Sequence, residues 1–372
     1  MYIQGIELKN FRNYSILDVE FSRNMNIIYG FNGQGKTNIL EAIYLCASGR
    51  SHRTSKDIEM IKFNEDNYLV KIDVKKDADS SVIEIIYEKN RKKRIRINEI
   101  PAKKIGDLMG RLNAVMFSPE DLMIIKEGPS ERRRFLDITI SQLKPAYFYD
   151  LQQYYRVLFQ RNNLLKELQE KRNLIDTLDI WNENLAKVGS RIIKRRYDFI
   201  ERLSSYAHKN HLILTNGLEE LNIKYNSTIK INGIKSREEI EKAFIYTIEL
   251  LQNREIQKGM TLCGPQRDDY EIFLDGKNIK LYGSQGQQRT AILSVKLSEI
   301  DIMKEETDEY PVLLLDDVLS ELDAKRQEYL FNNLQKIQAF ITCTDKNFFE
   351  SKLKSNYSYY YVNNGEIIEK LI

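Results

Sequence analysis

Eight consecutive residues, Gly30-Phe31-Asn32-Gly33-Gln34-Gly35-Lys36-Thr37, constrain this chain more than any other stretch. They follow the pattern Gly, any four residues, then Gly-Lys-Thr. Asn26-Ile27-Ile28-Tyr29 before them reads as a short buried strand, and Asn38 to Leu45 after them spaces its apolar residues as a helix does. Strand, glycine loop and helix in that order are the context in which this pattern holds phosphate. Gly30, Gly33 and Gly35 carry no side chain to keep the backbone off an anion, so loop N–H groups can wrap phosphate oxygens. The new helix points its positive end at the same place. Lys36 reaches the outer phosphates, and the Thr37 hydroxyl suits a Mg²⁺ ligand. Asn32, Gln34 and Asn38, between and just after the glycines, join them as expected nucleotide contacts. The bland alternative is a chance glycine-rich turn, and the flanking strand and helix count against it.

A second signal is Pro311-Val312-Leu313-Leu314-Leu315-Asp316-Asp317, a fully apolar strand ending in two carboxylates. The open end of a parallel sheet is where a ligand is met. Asp316 would hold Mg²⁺ through water, and Asp317 would polarise the attacking water, so Asp317 and the phosphate-reaching Lys36 are the catalytic candidates. Two such residues alone are more often a helix cap or a turn; the phosphate loop favours catalysis. A third signal is Ser284-Gln285-Gly286-Gln287-Gln288-Arg289, which opens a helix. Ser284 is a good N-cap on any reading. Ser-x-Gly-Gln is also what ABC-type ATPases place at a helix start to grip a γ-phosphate bound on another subunit.

The 372 residues could form one large domain or two smaller ones. Six prolines and seventeen glycines are few for this length and argue against a long disordered linker. Cys46, Cys263 and Cys343 lie far apart, which excludes a Cys-x-x-Cys zinc site and fits a reducing cytoplasm. Met1 to Glu7 shows no basic patch followed by an apolar run, so no secretory leader is expected. No stretch approaches the roughly 18 apolar residues of a membrane span. The net charge of +3 says little, so any nucleic-acid reading rests on local clusters.

Along the chain, strands are expected at Ile3–Leu8, Ile16–Phe21, Tyr68–Val74, Val82–Tyr87 and Ala114–Phe117, with Lys9–Tyr14 as a polar turn and a helix starting at Ser118-Pro119-Glu120. From Ser130 to about Asn210 the pattern is helical, with Leu151, Tyr154, Leu158, Leu165 and Leu168 on one face. Strands return at Tyr270–Leu274, and a final hairpin crosses Tyr359 to Ile368. The fold class read from this order is α/β, one sheet-based domain built from both ends of the chain with an inserted, mainly helical lobe; resemblance to ABC-type ATPases implies that the domain is an ABC-type ATPase head with mixed sheets. Residues 1–125 and 260–372 form the head, and 126–259 the lobe.

These residues together resemble the RecF family of recombination-repair proteins, relatives of the SMC class of ABC-type ATPases. The resemblance covers almost the whole chain. It includes Leu8 to Tyr14, Gly30 to Thr37, Phe117 to Leu122, Arg132 to Asp137, Gly264 to Asp269, Ser284 to Arg289 and Leu314 to Asp323. It implies a cytoplasmic switch that binds ATP with Mg²⁺ and forms an ATP-dependent homodimer. Such proteins bind duplex DNA and gapped junctions, work with RecO and RecR, and help RecA load. It also implies that Arg12 and Asn13 approach the phosphates, and that Ser284, Gly286 and Gln287 grip the partner's nucleotide. The chain departs from the ABC pattern in three places. Asp317 stands where Glu is usual, implying slow hydrolysis. No glutamine-bearing Q-loop follows Phe117. The strand end near Cys343 carries Thr342 and Thr344 and no switch histidine.

A basic run is ordinarily a solvated face. The resemblance makes Arg53, Arg91, Lys92, Lys93 and Arg94 the DNA-facing candidates. Arg132-Arg133-Arg134 is expected to form salt bridges within the lobe, and His208 and His211 to be a solvated pair. Two other readings use the same loop: the ATP-hydrolysing subunit of a membrane transporter, and a small-molecule kinase. The first lacks the switch histidine, and the second leaves Ser284 to Gln288 without a purpose.

Overall fold

The structure is a computed structural model that describes residues 1–77, 79–230, 233, 236–334, 336–345 and 357–371, excepting the side chains of 172, 173, 320, 321, 332–334 and 371. It divides into two compact units, Met1–Asp121 with Glu299–Ile372, and Leu122–Ser298.

The first unit opens with β1 (Tyr2–Phe11), β2 (Tyr14–Glu20), β3 (Met25–Tyr29), α1 (Lys36–Ser48), β4 (Asn67–Lys75), β5 (Ser80–Glu88), β6 (Arg94–Ile97), β7 (Ile100–Pro101) and β8 (Ala114–Phe117). One sheet runs β2-β1-β4-β5-β6-β7 and is antiparallel throughout. Its strands alternate: Tyr68, Val70, Ile72 and Val74 of β4 are buried while their neighbours are not. That is the pattern of a sheet with one wet face. Opposed charges cross that face, since Glu7 pairs with Lys71, Lys71 with Glu84, and Glu84 with Arg96. The stretch expected as a polar turn from Lys9 to Tyr14 is mostly strand. Phe11 is fully buried, and only Arg12 and Asn13 turn, with Arg12 at φ 55°.

The second unit carries α2 (Met123–Lys126), α3 (Pro129–Leu143), α4 (Pro145–Glu167), α5 (Leu178–Leu214), β9 (Leu221–Asn226), α6 (Arg237–Lys258), β10 (Asp269–Leu274), β11 (Lys277–Asn278), α7 (Ile279–Tyr282) and the start of α8 (Gln285–Thr307). The five apolar residues expected on one face of α4 and just past it are all buried. The unit extends beyond the boundary expected at 259. Strand β9, which the helical reading overlooked, pairs with β10 in a three-stranded sheet, so residues 260–298 pack with the helices. Buried ion pairs hold this unit. Arg161 reaches Glu255 at 2.6 Å, and Arg196 reaches Asp137 at 2.7 Å and the Pro265 carbonyl at 2.6 Å. Arg132 forks onto Asp269 at 2.7 and 2.9 Å, a partner beyond the 126–259 lobe within which that arginine run was expected to pair.

The chain then returns to the first unit with β12 (Val312–Asp316), α9 (Ala324–Leu334), β13 (Ala339–Cys343), β14 (Tyr357–Asn363) and β15 (Glu366–Leu371). These strands build a mixed sheet in the order β15-β14-β3-β13-β12-β8. All its neighbours are parallel except the β14–β15 hairpin. Every residue of β3, β8 and β12 is buried. Their unbroken apolar runs are what a parallel sheet covered on both faces demands.

Candidate functional site

Register brings the site together. Tyr29 pairs with Cys343 and Ile28 with Thr342, while Thr342 pairs with Asp316 on the other side. Three parallel strands therefore release Gly30, Asp316-Asp317 and Thr342 at the same end of the sheet, where such sheets bind ligands.

The phosphate loop needs its glycines for two reasons. Gly30 and Gly35 sit at φ 147° and 117°. A Cβ on Gly30 would lie 2.3 Å from the Val362 carbonyl oxygen, and one on Gly35 would lie 2.6 Å from the Asn13 amide. Asn13 Nδ2 donates to the Gln34 carbonyl at 2.7 Å, and Asn13 Oδ1 accepts from Asn38 Nδ2 at 2.7 Å. Tyr14 Oη donates to the Gly35 carbonyl at 3.1 Å. The C-terminal hairpin closes the other side. Asn364 N–H donates to Gln34 Oε1 at 2.7 Å, and Gly365 N–H to the Gln34 carbonyl at 3.0 Å. The hairpin was legible in the sequence, but its docking on Gln34 was not.

Lys36 folds back inside the loop. Its Nζ donates to the Gly30 and Phe31 carbonyls at 2.6 and 2.9 Å. Burial pushes its ammonium below the ordinary value, against the pull of Asp317, Cys343 and Asp316. Thr37 Oγ1 donates to Asp316 Oδ1 at 2.9 Å, and Thr342 Oγ1 donates to the same oxygen at 2.7 Å. Thr342 Oγ1 also accepts the Asp317 N–H at 2.9 Å, so a threonine stands at the strand end expected to lack a switch histidine. Asp317 is exposed and sits at φ 54°, a left-handed conformation uncommon outside glycine. Thr37 and Asp316 offer two oxygens at one point, which suits a Mg²⁺ ion completed by phosphates and water. Among the described residues no set of three or more His, Cys, Asp or Glu side chains could hold a metal unaided.

Arg12 turns to Glu41. Its Nε and Nη2 fork onto the two carboxylate oxygens at 2.8 and 2.6 Å, and Nη1 donates to the Glu59 carbonyl at 2.6 Å. Glu41 is fully buried on α1 and also accepts from Ser51 Oγ at 2.5 Å. Burial raises its carboxyl, but Arg12, Ser51 and Arg53 together hold it below the ordinary value. Arg53 lies 3.5 Å from Glu41 and donates to Asn38 Oδ1 at 3.1 Å, which ties it to the loop's own network. Glu41 was missed in the sequence; a lone carboxylate among apolar helix positions was the available signal.

The DNA-facing candidates separate. Lys92 is exposed, while Arg91 and Arg94 flank Glu88 at 3.0 and 3.9 Å with more than half of each side chain open. Lys93 is a correction: its side chain is 9% exposed and binds Asp57 at 2.7 Å and the Gly49 carbonyl at 2.9 Å. The expected solvated histidine pair is a second correction, because His211 is fully buried. Ser284, Gly286 and Gln287 stand at the start of α8 in the second unit. The Ser284 and Gln287 side chains bond to each other's backbone N–H groups, at 3.2 and 2.9 Å. Within the Leu314 to Asp323 stretch that carries the resemblance, the side chains of Ser320 and Glu321 lie outside the described residues.

A parallel sheet ending in a phosphate loop and an acidic pair, beside an antiparallel sheet, defines a nucleotide-binding head of the ABC and SMC type. The chain matches the family model of the RecF/RecN/SMC N terminal domain over residues 2–368. The DNA replication and repair protein RecF of Acetivibrio thermocellus is 57% identical over 352 residues, 95% of each chain. That of Ruminiclostridium cellulolyticum is 51% identical over 368 residues, 99% of each chain. A solved structure of the recombination mediator protein RecF with ATP, in the RecFOR pathway, matches with a TM-score of 0.93 at 40% identity, covering 100% of this chain and 98% of that one. An SMC head bound to the C-winged helix domain of ScpA matches with a TM-score of 0.56 at 18% identity, covering 100% of this chain and 98% of that one, a likeness of fold alone. The chain belongs to the RecF proteins of the RecF/RecN/SMC N-terminal domain family.

Proposed function

We propose that this protein is an ATP-gated DNA-binding protein of recombinational repair and replication-gap processing, acting in the cytoplasm. The single observation that carries the reading is the 2.9 Å contact between Thr37 and Asp316, which joins the phosphate loop to the acidic strand end. The family and the likeness to a RecF structure holding ATP support the same ligand. Gly30 to Asn38 would hold the phosphates, Thr37 and Asp316 the Mg²⁺, and Asn13 the loop itself. Bound ATP supplies a γ-phosphate for hydrolysis and a charge that two subunits can share. Lys36 would exchange the Gly30 and Phe31 carbonyls for phosphate oxygens, and Asp317 would orient the attacking water. Aspartate is one methylene shorter than glutamate, which supports slow turnover and the use of hydrolysis as a release step. Residues 1–121 and 299–372 would be the ATPase part, and the second unit would present Ser284, Gly286 and Gln287 to the nucleotide of a second copy. Arg53, Arg91, Lys92 and Arg94 would meet duplex DNA and gapped junctions. RecR and RecO are the partners, and RecA loading the outcome, that the RecFOR relationship supports.

Sedimentation with and without ATP and duplex DNA tests the reading, with Lys36→Met as the control. ATP should drive wild type to a dimer that binds DNA more tightly, and Lys36→Met should remain monomeric. A wild-type protein that stays monomeric at saturating ATP, with or without DNA, would falsify it.

A further inference from the structure

The start of α8 is tied to the end of α5 by a chain of side-chain hydrogen bonds. Gln287 Oε1 accepts the Ser284 N–H at 2.9 Å, and Gln287 Nε2 donates to Glu219 Oε1 at 2.8 Å. Both ends of the Gln287 amide are committed, which sets its orientation. Behind Glu219, its second oxygen lies 3.3 Å from His211 Nε2, and His211 is fully buried while Glu219 is 23% exposed. His211 Nδ1 meets Ser294 Oγ at 2.9 Å, and the single hydroxyl proton of Ser294 goes to the Thr290 carbonyl at 2.9 Å. Glu219 and Ser294 thus hold the His211 ring between them in the last turn of α5, one contact on each ring nitrogen.

We propose that Glu219, backed by His211, is a positioning residue for the Ser284–Gln287 helix start. It anchors the Gln287 amide, which caps the Ser284 N–H, and so presents the Ser284 hydroxyl and the α8 N-terminus to a γ-phosphate bound on a second copy of the chain. The inference rests on the reading that this helix start grips the partner's nucleotide. Without Glu219, the Gln287 amide loses the acceptor that sets its direction, and the Ser284 turn loses half of its reciprocal cap. The nucleotide loop lies in the other unit and does not depend on this chain of bonds.

The test compares ATP-driven dimerisation of the full chain in wild type, Glu219→Ala, Glu219→Gln and Ser284→Arg, beside ATP affinity of the monomer and melting temperature. Glu219→Ala should weaken the ATP-driven dimer roughly tenfold, as expected for removing a hydrogen bond to a charged group. Monomer ATP affinity should not move, and the melting temperature reports separately what the buried His211 loses with its carboxylate partner. Glu219→Gln should restore dimerisation, because its amide oxygen still accepts from Gln287 and its NH₂ stays beside His211. If both Glu219 variants dimerise like wild type, or both fail alike, Glu219 does not position the helix start. Ser284→Arg separates the two ideas. If it dimerises normally, the grip itself is misread and the proposal falls with it. If it cannot dimerise while Glu219→Ala can, the grip stands and only the proposal is overturned.

Discussion

The backbone N–H of Gly365 donates to the carbonyl of Gln34 across 3.0 Å, so residues 331 positions apart in the chain share one wall of the phosphate loop. Gly365 holds φ 76°, and a Cβ there would lie 2.6 Å from the Asn13 carbonyl oxygen. Backbone atoms cannot swing aside as a side-chain tip would. Gly365→Ala should therefore push the Asn364–Gly365 turn off Gln34 and lower ATP affinity roughly tenfold, in line with about 1–2 kcal/mol for an L-residue in the left-handed region plus the close approach. An ATP titration of the folded variant checks it, and unchanged affinity would remove the hairpin from the site.

Hydrolysis should be separable from binding at Asp317. Asparagine tolerates the left-handed conformation that Asp317 holds at φ 54°. Asp317→Asn should keep the local backbone, bind ATP with wild-type affinity and lose turnover by about a hundredfold or more, as expected for removing a positioned base. Single-turnover measurements with excess enzyme decide the point. Turnover at the wild-type rate would place the base elsewhere.

Glu41 predicts an acid-sensitive step in stability. Its folded-state value is held below the ordinary 4.5. The stabilisation from the ionised carboxylate is thus fully present above 4.5 and is lost as pH falls through the folded value. Urea midpoints measured between about pH 3 and 6 should fall more steeply in wild type than in Glu41→Gln. Arg12→Ala should cost about 3 kcal/mol at neutral pH, because it leaves a buried charge without its forked partner. Parallel pH profiles for wild type and Glu41→Gln would exclude this carboxylate as the source.

DNA binding should follow the open cations and not the whole basic run. Replacing Arg91, Lys92 and Arg94 with Ala should weaken duplex binding at all sequences alike. It should also flatten the salt dependence, because every phosphate left without its cation keeps its own counterion. The Glu7–Lys71–Glu84–Arg96 ladder neutralises the neighbouring sheet face and should contribute little. Lys93→Ala should act on stability, by stranding Asp57, before it acts on DNA. Salt titrations in ATP for wild type and the triple variant give the comparison, and coincident slopes would move the DNA surface elsewhere.

The chain's order of residues determined the parts whose chemistry is local. Gly30 to Thr37 needs only its own backbone freedom and the strand and helix beside it. The apolar runs at Ile27–Tyr29, Val115–Phe117 and Val312–Leu315 need only the rule that a doubly covered parallel strand has no wet face. What only the tertiary structure decided is which polar side chain meets which. Lys93 looked like its neighbours until Asp57 and Gly49 took it from solvent, and Arg12 was committed by a glutamate buried on α1. His211 read as solvated until Ser294 and Glu219 closed on it, and β9 joined a sheet that its helical surroundings hid. Hydrophobic pattern is periodic and readable within a dozen residues, whereas a buried polar group finds partners set by the folded path of the chain, here from 8 to 83 residues away for His211.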